Sequence, residues 1–419
     1  MHCEVDILII GAGPAGAASA ILMAQSGRRV TVIERDLFPR QKVCGECVAA
    51  GNLDLLDSLG IGIEFRRCAG PELRQVGWIG ASQMLSADMP ACAQGNYSYG
   101  RAMGRDQLDN LLLERARAVG ATVLQPATVE AIRGNPGHYE CDYSLKTTQL
   151  KIDRRCYRTL TAAVVIDAHG SWERGPVFPM DGSQIAASRR RNGDLFAFKA
   201  TFRETQLPTG FLPIIPIDGG YAGMVVANEG RTTIACCLRR DRLAQCRSSA
   251  PGASAGTAIE FLLRRTVPHL GQMLHGARRD GVWQSVGPVR PGIHAQASGT
   301  IFRIGNAAGE SHPIIGEGIG MALQSAVLLA NEFAQVPGGP LNPHLHSAIQ
   351  ERYSAAWRRA FAHRLSLSKA YDHMAMHPSF TRFAGNMLRR WPRLLTYSAR
   401  WAGKAQHACT AVSSTMEKT

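Results

Sequence analysis

The sequence predicts an α/β protein in which a parallel sheet and an antiparallel sheet occur in one chain. Two strand–glycine–helix units, one at the start of the chain and one beginning near residue 301, indicate the parallel sheet. Residues 195–238 contain short apolar or alternating runs separated by glycine turns, which is typical of antiparallel strands. A length of 419 residues allows two or three structural units.

The composition is that of a globular protein with a large core, since 45% of the residues are apolar and 19% are charged. These values exclude an intrinsically disordered chain and a collagen-like repeat. The eleven cysteines are odd in number and scattered, which predicts reduced thiols in a cytoplasmic protein. The apolar run 5–10 is short and contains Asp6, so we expect no signal peptide, and no apolar run is long enough for a transmembrane helix.

The first forty residues predict a strand, a helix and a second strand. Residues 5–10 are a run suited to a buried parallel strand, residues 17–26 predict a helix, and residues 29–33 predict the next strand. The first strand and the helix are joined by Gly-x-Gly-x-x-Gly, a turn in which the backbone can approach a pyrophosphate. The N–H groups and the positive dipole end of the helix would hold the phosphate charge. The sequence therefore predicts a Rossmann-like dinucleotide site.

Glu34 stands at the end of the second strand, 18 residues after Gly16. An acid at this place accepts hydrogen bonds from ribose hydroxyls, which favours NAD or FAD over NADP. The order of strand, glycine turn, helix, strand and acid is the context that supports the motif.

Later segments bear on the choice between these dinucleotides. Residues 105–109 open an amphipathic helix. Residues 304–309 and 312–320 form another strand end, glycine turn and helix start, and that helix extends to about Phe333. One cofactor long enough to contact both glycine turns would explain why a single chain has two of them.

In this order the motifs resemble the flavoprotein superfamily of aromatic-ring hydroxylases, flavin halogenases and geranylgeranyl reductases, over about residues 4–335. The resemblance implies a Rossmann-like FAD-binding domain of the glutathione-reductase type, an antiparallel β-sheet substrate domain and a C-terminal helical region. Residues 38–46, Phe-Pro-Arg-Gln-Lys-Val-Cys-Gly-Glu, are most similar to the reductase branch. The FAD-binding residues that the resemblance implies are Gly11, Gly13, Pro14, Ala15, Gly16, Glu34, Arg35, Cys44, Gly45, Arg105, Gly305, Asn306, Gly316, Gly318 and Ile319.

Two positions depart from the family pattern. The second signature usually has Gly-Asp, and here Asn306 follows Gly305; an amide still hydrogen-bonds a hydroxyl but is neutral. In the middle motif, residues 164–171, His169 occupies the usual acidic position, or Asp167 substitutes for the acid. Because that motif contacts both FAD and the nicotinamide in the hydroxylases, the electron donor is either NAD(P)H or a separate reductase.

The resemblance places Pro313 beside the flavin face at which O2 reacts. His312 is the candidate acid or base because an imidazole titrates near neutral pH, and the alternative is a loop histidine bonded to backbone or water. Cys44 and Cys47 form Cys-x-x-Cys, which allows a redox pair or half of a zinc site. As in geranylgeranyl reductases, Cys44 is instead expected in a turn over the flavin, and no metal is expected because a second ligand pair is missing.

The expected domain division follows from the motif order and from a basic C-terminal segment. Positions 340–419 carry twelve Lys and Arg against three Asp and Glu, a net charge of +9 out of +14 for the chain. This segment predicts helices over residues 344–375 and 380–404, which either bind an anionic membrane or an acidic protein, or simply cap the fold. The division is an FAD-binding domain of 1–80, 100–178 and 290–335, a substrate domain of 81–99 and 179–289, and a basic helical region of 336–419.

Three functions are compatible with these expectations. The first is a monooxygenase that hydroxylates an aromatic substrate, small or protein-borne, through a flavin C4a-hydroperoxide. The second is a reductase that saturates C=C bonds of an isoprenoid or polyketide, and the third is a flavoprotein maturation factor that docks an acidic partner protein. A halogenase is disfavoured because Trp-x-Trp-x-Ile is missing and the chain has only seven lysines. Nucleic-acid binding is not expected, since no recognised module accompanies the charge.

Overall fold

The structure, a computed structural model, describes residues 4–147, 154–170, 191–294, 300–336, 342–376 and 378–404. The strands are β1 (Val5–Ile10), β2 (Val30–Ile33), β3 (Cys47–Val48), β4 (Gln75–Ile79), β5 (Met84–Asp88), β6 (Arg101–Ala102), β7 (Thr122–Leu124), β8 (Ala127–Asn135), β9 (His138–Thr147), β10 (Arg154–Asp167), β11 (Leu195–Arg203), β12 (Phe211–Ile217), β13 (Gly220–Val226), β14 (Thr232–Arg239), β15 (Arg278–Val289), β16 (Gly292–Ile293), β17 (Phe302–Arg303) and β18 (Gly309–Glu310). The helices are α1 (Pro14–Gln25), α2 (Leu53–Ser58), α3 (Gly62–Cys68), α4 (Arg105–Ala118), α5 (Arg240–Ser248), α6 (Ala255–Thr266), α7 (Pro268–Met273), α8 (Gly318–Ala334), α9 (Pro343–Ala375), α10 (Pro378–Arg390) and α11 (Arg393–Trp401).

The first sheet has the order β7-β2-β1-β10-β9-β8, with β17 also paired to β10. Strands β7, β2, β1, β10 and β17 are parallel, whereas β8 and β9 add an antiparallel extension. Residues Ile7–Ile10 of β1 are buried on both faces, which explains why this strand is a continuous apolar run. The carboxyl ends of β1, β2, β10 and β17 meet at one edge, and ligands bind at such an edge in open α/β sheets.

The helix after β1 begins at Pro14, three residues before the position predicted from composition. Proline is favoured in the first turn of a helix, because its fixed φ suits the helix and its missing N–H is not needed there. The helix ends at Gln25, and Gly27 follows with a φ of +80°. Helices α1 and α8 pack in the same core cluster, beneath the parallel strands.

The second sheet has the order β15-β11-β14-β13-β12-β4-β5, and only the β4–β12 pair is parallel. Strand β12 shows how the two faces differ, because Phe211, Ile215 and Ile217 are buried in the cluster that contains α6 and α7. The alternate residues Leu212 and Ile214 line a cavity on the other face. The α/β fold predicted from the sequence is therefore confirmed. Strand β4 lies in this sheet although the expected division assigns residues 75–79 to the FAD-binding domain, and the domain boundaries remain a prediction.

The C-terminal segment forms three helices where two were predicted. Residues 380–404 were expected to be one helix, but Pro392 separates α10 from α11, because proline cannot continue a helix interior. Helix α9 buries Ile349, Tyr353 and Trp357 completely in the core around α1 and α8. None of the helices in the described ranges has the length and apolarity needed to span a membrane.

Candidate functional site

Two cavities meet at the edge where the parallel strands end. The first, of about 300 Å³, extends from the glycine turn after β1 to the start of α8. The second, of about 520 Å³, lies between the second sheet and helices α10 and α11. Six residues line both cavities: Val43, Cys44, Gly45, Cys47, Pro313 and Gly316.

The glycine turn after β1 has the geometry of a phosphate-binding loop. Gly11 has a φ of +93°, and a Cβ atom on it would lie 2.7 Å from the carbonyl oxygen of Ala168. A Cβ atom on Gly16 would lie 1.9 Å from the carbonyl oxygen of Gly11, so this glycine is required for helix–strand packing. A Cβ atom on Gly13 would contact only the Arg105 side chain, at 3.8 Å, so its backbone faces the first cavity.

Glu34 is held at the end of β2 by the backbone. Its carboxylate oxygens accept hydrogen bonds from the N–H groups of Ala12 (2.7 Å) and Asp36 (2.9 Å). The side chain is buried but lines the first cavity, so the remaining lone pairs are oriented for a ribose.

Arg40, Asp109 and Arg105 form a buried charge network beside this acid. Arg105 makes two hydrogen bonds of 2.7 Å to the carboxylate of Asp109. Arg40 donates to the same carboxylate at 3.0 Å, and its Nε lies 3.7 Å from Oε1 of Glu34. Burial alone would lower the pKa of Arg105, but the Asp109 carboxylate outweighs it and raises that pKa above its ordinary value. The Arg105 guanidinium therefore remains charged, and it lies where a diphosphate would approach.

The second glycine signature lies against the first. Gly305 has a φ of +58°, and a Cβ atom on it would lie 2.8 Å from Cβ of Ala15 on α1. Gly316 adopts a left-handed conformation, and α8 then begins at Gly318 without a side-chain cap. A Cβ atom on Gly318 would have no neighbour within 4 Å, so the start of this helix is open to the cavity. The two N-terminal helix ends thus face one elongated cavity, as a single long dinucleotide requires.

Most residues predicted to bind the cofactor line this first cavity. They are Gly11, Gly13, Pro14, Ala15, Glu34, Arg35, Cys44, Gly45, Arg105, Asn306, Gly316, Gly318 and Ile319. Gly16 and Gly305 lie behind the wall, where each permits a close backbone contact. Their placement supports the assignment, while direct contact of each residue with the cofactor remains a prediction.

The three candidate catalytic residues have different surroundings. Pro313 and Cys44 lie where the two cavities meet. His312 is fully buried behind Pro313, accepts a hydrogen bond from the Ile314 N–H at its Nδ1 atom, and packs on the ring of Tyr221. Among the described residues, His312 is not part of either cavity wall, so its position is that of a turn cap; its catalytic role remains a prediction.

The middle motif contributes a histidine–carboxylate pair. Nδ1 of His169 lies 2.5 Å from Oδ1 of Asp167, which is buried at the end of β10. The other Asp167 oxygen lies 3.8 Å from Nε of Arg303. The ring of His169, not the aspartate, lines the first cavity, which agrees with histidine in the usual acidic position.

Sequence reasoning missed a buried ion pair that joins the two cavities' walls. Lys199 on β11 pairs with Glu46, and each side chain is 2% exposed. Glu46 also accepts a hydrogen bond from the hydroxyl of Thr233, and Lys199 donates to Gln41 at 3.0 Å. Glu46 has a φ of +61°, which an L residue adopts only when its surroundings hold it. In the alternation of β11, Lys199 lies on the face opposite Phe198 and Phe202, so no sequence signal indicated its burial, and its partner is 153 residues away.

Lys404, at the end of the described chain, was also missed. Its Nζ atom donates to the carbonyl oxygen of Gly316 at 3.0 Å and lies 3.3 Å from the buried carboxylate of Glu317. The C-terminal segment therefore reaches the turn that precedes α8 and completes the second cavity. Their lining residues are Thr381, Ala384, Met387, Leu388, Leu394, Leu395, Tyr397, Ser398, Ala399, Trp401 and Ala402.

The cysteines at the junction are reduced. Burial raises the pKa of the Cys47 thiol to about 12, although Lys404 acts in the opposite direction. In the described part of the chain no group of three or more metal-binding side chains is close enough to hold a metal ion.

Residues 4–191 match the FAD binding domain family, which confirms FAD as the cofactor. A menaquinone reductase of Mycobacterium tuberculosis is 35% identical over 132 residues, which is 31% of this chain and 31% of that protein. The chain thus aligns with about a third of that relative. A menaquinone reductase of Mycolicibacterium smegmatis is 25% identical across 96% of this chain and 92% of that protein.

Two solved structures show the same fold. The p-nitrophenol 4-monooxygenase of Pseudomonas putida has a TM-score of 0.72 at 15% identity, and the alignment covers 98% of this chain and 100% of the monooxygenase chain. A myxobacterial chondrochloren halogenase has a TM-score of 0.70 at 19% identity, and the alignment covers 96% of this chain and 90% of the halogenase chain. These two structures therefore confirm the fold that the resemblance in the motifs implies.

Proposed function

We propose that this FAD-dependent oxidoreductase, a member of the flavin monooxygenase and halogenase superfamily, hydroxylates a large apolar aromatic substrate. The observation that carries the proposal is the junction of the FAD cavity with an apolar cavity of about 520 Å³. A substrate in that cavity would contact Pro313 and Cys44, which also line the FAD cavity. When bound, FAD supplies the electron transfer and the oxygen activation, which no protein side chain provides.

The residues of the first cavity fit the two ends of FAD. Glu34 is oriented for the adenosine ribose, and the N-terminus of α1 is open for the diphosphate. Arg105, kept charged by Asp109, would neutralise the charge of the phosphates. The backbone N–H groups at the start of α8 would stabilise negative charge that develops on the flavin ring on reduction.

The walls of the second cavity exclude water from the reacting face. Trp78, Phe198 and Met224 belong to a lining that contains no Asp, Glu, His or Arg among the described residues. Lys404 is the one charged side chain in this described wall, and it is bonded to Gly316 and Glu317. The protein therefore positions an apolar molecule against the flavin and shields it from solvent, without an ionised carboxylate in contact with it.

A second candidate is reduction of a C=C bond in an apolar polyene such as an isoprenoid. It is favoured by the same lining, which lacks a base to deprotonate a phenol, and by the protonated Cys47 thiol at the junction. The menaquinone reductase relative of M. smegmatis, aligned over nearly the whole chain, supports this alternative. The electron donor is NAD(P)H or a separate reductase in both cases.

Stopped-flow absorbance distinguishes the two candidates. Reduced, FAD-loaded enzyme is mixed with oxygenated buffer, with and without long-chain naphthoquinone or phenolic substrates. A transient species before the oxidised flavin spectrum returns, together with one atom of oxygen from labelled O2 in the product, is expected of the monooxygenase. Two results together would overturn hydroxylation and favour the reductase. One is direct reoxidation of the flavin without a transient species, whichever substrate is present. The other is formation of a saturated product when reduced enzyme and substrate are mixed under anaerobic conditions.

A further inference from the structure

The outer surface of the C-terminal helices carries aromatic and basic side chains next to the mouth of the apolar cavity. The aromatic–arginine face consists of Phe383, Arg389, Arg390, Trp391, Arg393, Tyr397, Arg400 and Trp401, all exposed. The opposite sides of the same helices bury Leu388, Leu395 and Ala399 against the second sheet. Among the residues that the structure describes, helices α10 and α11 are thus covered on the side of the second sheet, and the eight side chains of the face are exposed.

The exposure of large aromatic side chains is concentrated here. Phe383 is 63% exposed, Trp391 58%, Tyr397 57% and Trp401 67%, and both exposed tryptophans of the described chain belong to this face. Single exposed apolar residues are normal on soluble proteins, but a cluster marks an interaction site. Trp and Tyr are the residues enriched at the level of lipid headgroups, because their rings are apolar and their tips polar.

The charge of the face has one sign. Residues 378–404 contain no Asp or Glu. Arg389, Arg390, Arg393 and Arg400 form no ion pair with any side chain in the described part of the chain. Most arginines elsewhere are paired, as Arg278 is with Glu204 and Arg203 with Asp280. Unpaired guanidinium groups at a surface complement the charge of anionic headgroups.

The face and the cavity are continuous. Tyr397 and Trp401, spaced by one helical turn on α11, are largely exposed and also line the apolar cavity. The wall of the apolar cavity therefore includes two side chains of the exposed face. An apolar molecule that leaves a bilayer against this face would meet these two rings first.

We propose that this face docks the protein on an anionic phospholipid bilayer, from which the apolar cavity receives its substrate. A second copy of the chain is a poorer occupant, because a two-fold interface would place these arginines against one another. An acidic protein complements the charge but does not account for the exposed aromatic side chains beside an apolar cavity. The inference rests on the proposed function only for the identity of the substrate, since binding to lipid is measured without turnover.

Vesicle co-sedimentation of the FAD-loaded full chain tests the proposal. We expect binding to vesicles in which about a third of the lipid is phosphatidylglycerol, and little binding to phosphatidylcholine alone. Arg389→Glu combined with Arg390→Glu, and separately Trp391→Ser, should each lower the vesicle partition coefficient at least tenfold. Neither variant touches a cavity wall. Matched controls are Arg247→Glu with Arg265→Glu, and Phe261→Ser, which change exposed residues on α5 and α6 and should bind like the parent protein.

Each outcome separates docking from catalysis. Equal binding of the parent to neutral and anionic vesicles, or unchanged binding of both face variants, overturns the proposal. Lack of vesicle binding together with a salt-sensitive complex with polyglutamate overturns it in favour of an acidic protein partner. Loss of binding in folded face variants that still turn over a detergent-dispersed substrate supports it. Vesicle binding by a protein that converts no aromatic or polyene substrate would leave docking intact and remove the proposed function alone.

Discussion

The FAD cavity and the apolar cavity are adjacent but are built from different parts of the polypeptide. The FAD cavity is formed by backbone at the ends of parallel strands, with glycines 11, 13, 16, 305 and 318 placed for close approach. The apolar cavity is formed by side chains from the second sheet, from the 43–47 loop and from α10 and α11. A backbone-built site needs particular residues at fixed spacing, whereas a side-chain-built site needs only apolar side chains of suitable volume.

The difference teaches that the two cavities respond differently to substitution. In the glycine turn after β1, a methyl group added at Gly11 or Gly16 would overlap a main-chain carbonyl oxygen. In the apolar cavity, a change of side-chain volume alters what fits but leaves the cofactor site intact.

The largest expected effect is at the glycine turn. Gly16→Val should prevent folding, because its Cβ atom would overlap the carbonyl oxygen of Gly11. Gly13→Val should give folded but colourless protein, because the added atoms enter the space of the diphosphate. Flavin absorbance and a circular dichroism melt measure the two effects. A yellow Gly13→Val protein would refute the phosphate-site assignment.

The next effect is at the buried ion pair between the cavities. Lys199→Met leaves the Glu46 carboxylate buried without its cation, and we expect a loss of about 3–5 kcal/mol in the free energy of unfolding. Denaturant unfolding of the FAD-loaded protein measures it. Adding Glu46→Gln should recover part of the loss, whereas Arg278→Met, in an exposed pair, should change little. If Lys199→Met and Arg278→Met lowered the free energy of unfolding by a similar amount, the assumed effect of burial on the two ion pairs would be wrong.

Filling the apolar cavity should change substrate binding and leave the flavin unaffected. Gly223 lines this cavity, and a Cβ atom there would meet its nearest neighbour at 3.4 Å, which is an ordinary contact, so Gly223→Leu adds its side chain without a backbone clash at Cβ. We expect the KM for a large apolar substrate to rise about tenfold or more, with an unchanged flavin content. Ala244→Leu, which places a leucine on the exposed side of α5, is the control. An unchanged KM in Gly223→Leu would place the substrate elsewhere.

The smallest effect concerns thiol reactivity at the junction. Because the pKa of Cys47 is raised to about 12, its reactive thiolate remains scarce at pH 9, and alkylation should be slow. The exposed Cys156 should react much faster under the same conditions. Peptide mass spectrometry after timed labelling measures both rates. Fast labelling of Cys47, or a Cys44–Cys47 disulfide in air, would instead support a redox role for Cys-x-x-Cys.

Local motifs predicted the FAD cavity well. The strand, glycine turn and acid of residues 5–34 lie within one supersecondary unit, so their spacing in sequence is their spacing in space. The helix starts at Pro14 and at Gly318 follow from the same local geometry. The position of His312 could not be predicted from the local motif. Whether a loop side chain points into a cavity or into the core depends on the sheet behind it, and in this protein Tyr221 of that sheet packs on the His312 ring.

The C-terminal segment shows the limit of sequence reasoning. Its basic charge and its tryptophans were visible, and they left open whether the helices form a binding surface or a cap. In the structure one side of α10 and α11 completes the apolar cavity and the other carries the exposed aromatic–arginine face.

The sequence by itself determined the α/β fold, the FAD site and the order of its motifs, because backbone turns that bind phosphate require glycine at fixed spacing. Only the tertiary structure decided that Lys404 reaches Gly316, that Lys199 pairs with Glu46, and that three distant segments enclose one apolar cavity. Such contacts join residues far apart in the chain, and apolar packing accepts many side chains at each position. No local pattern specifies them, because their energy depends on burial, which exists only after the chain has folded.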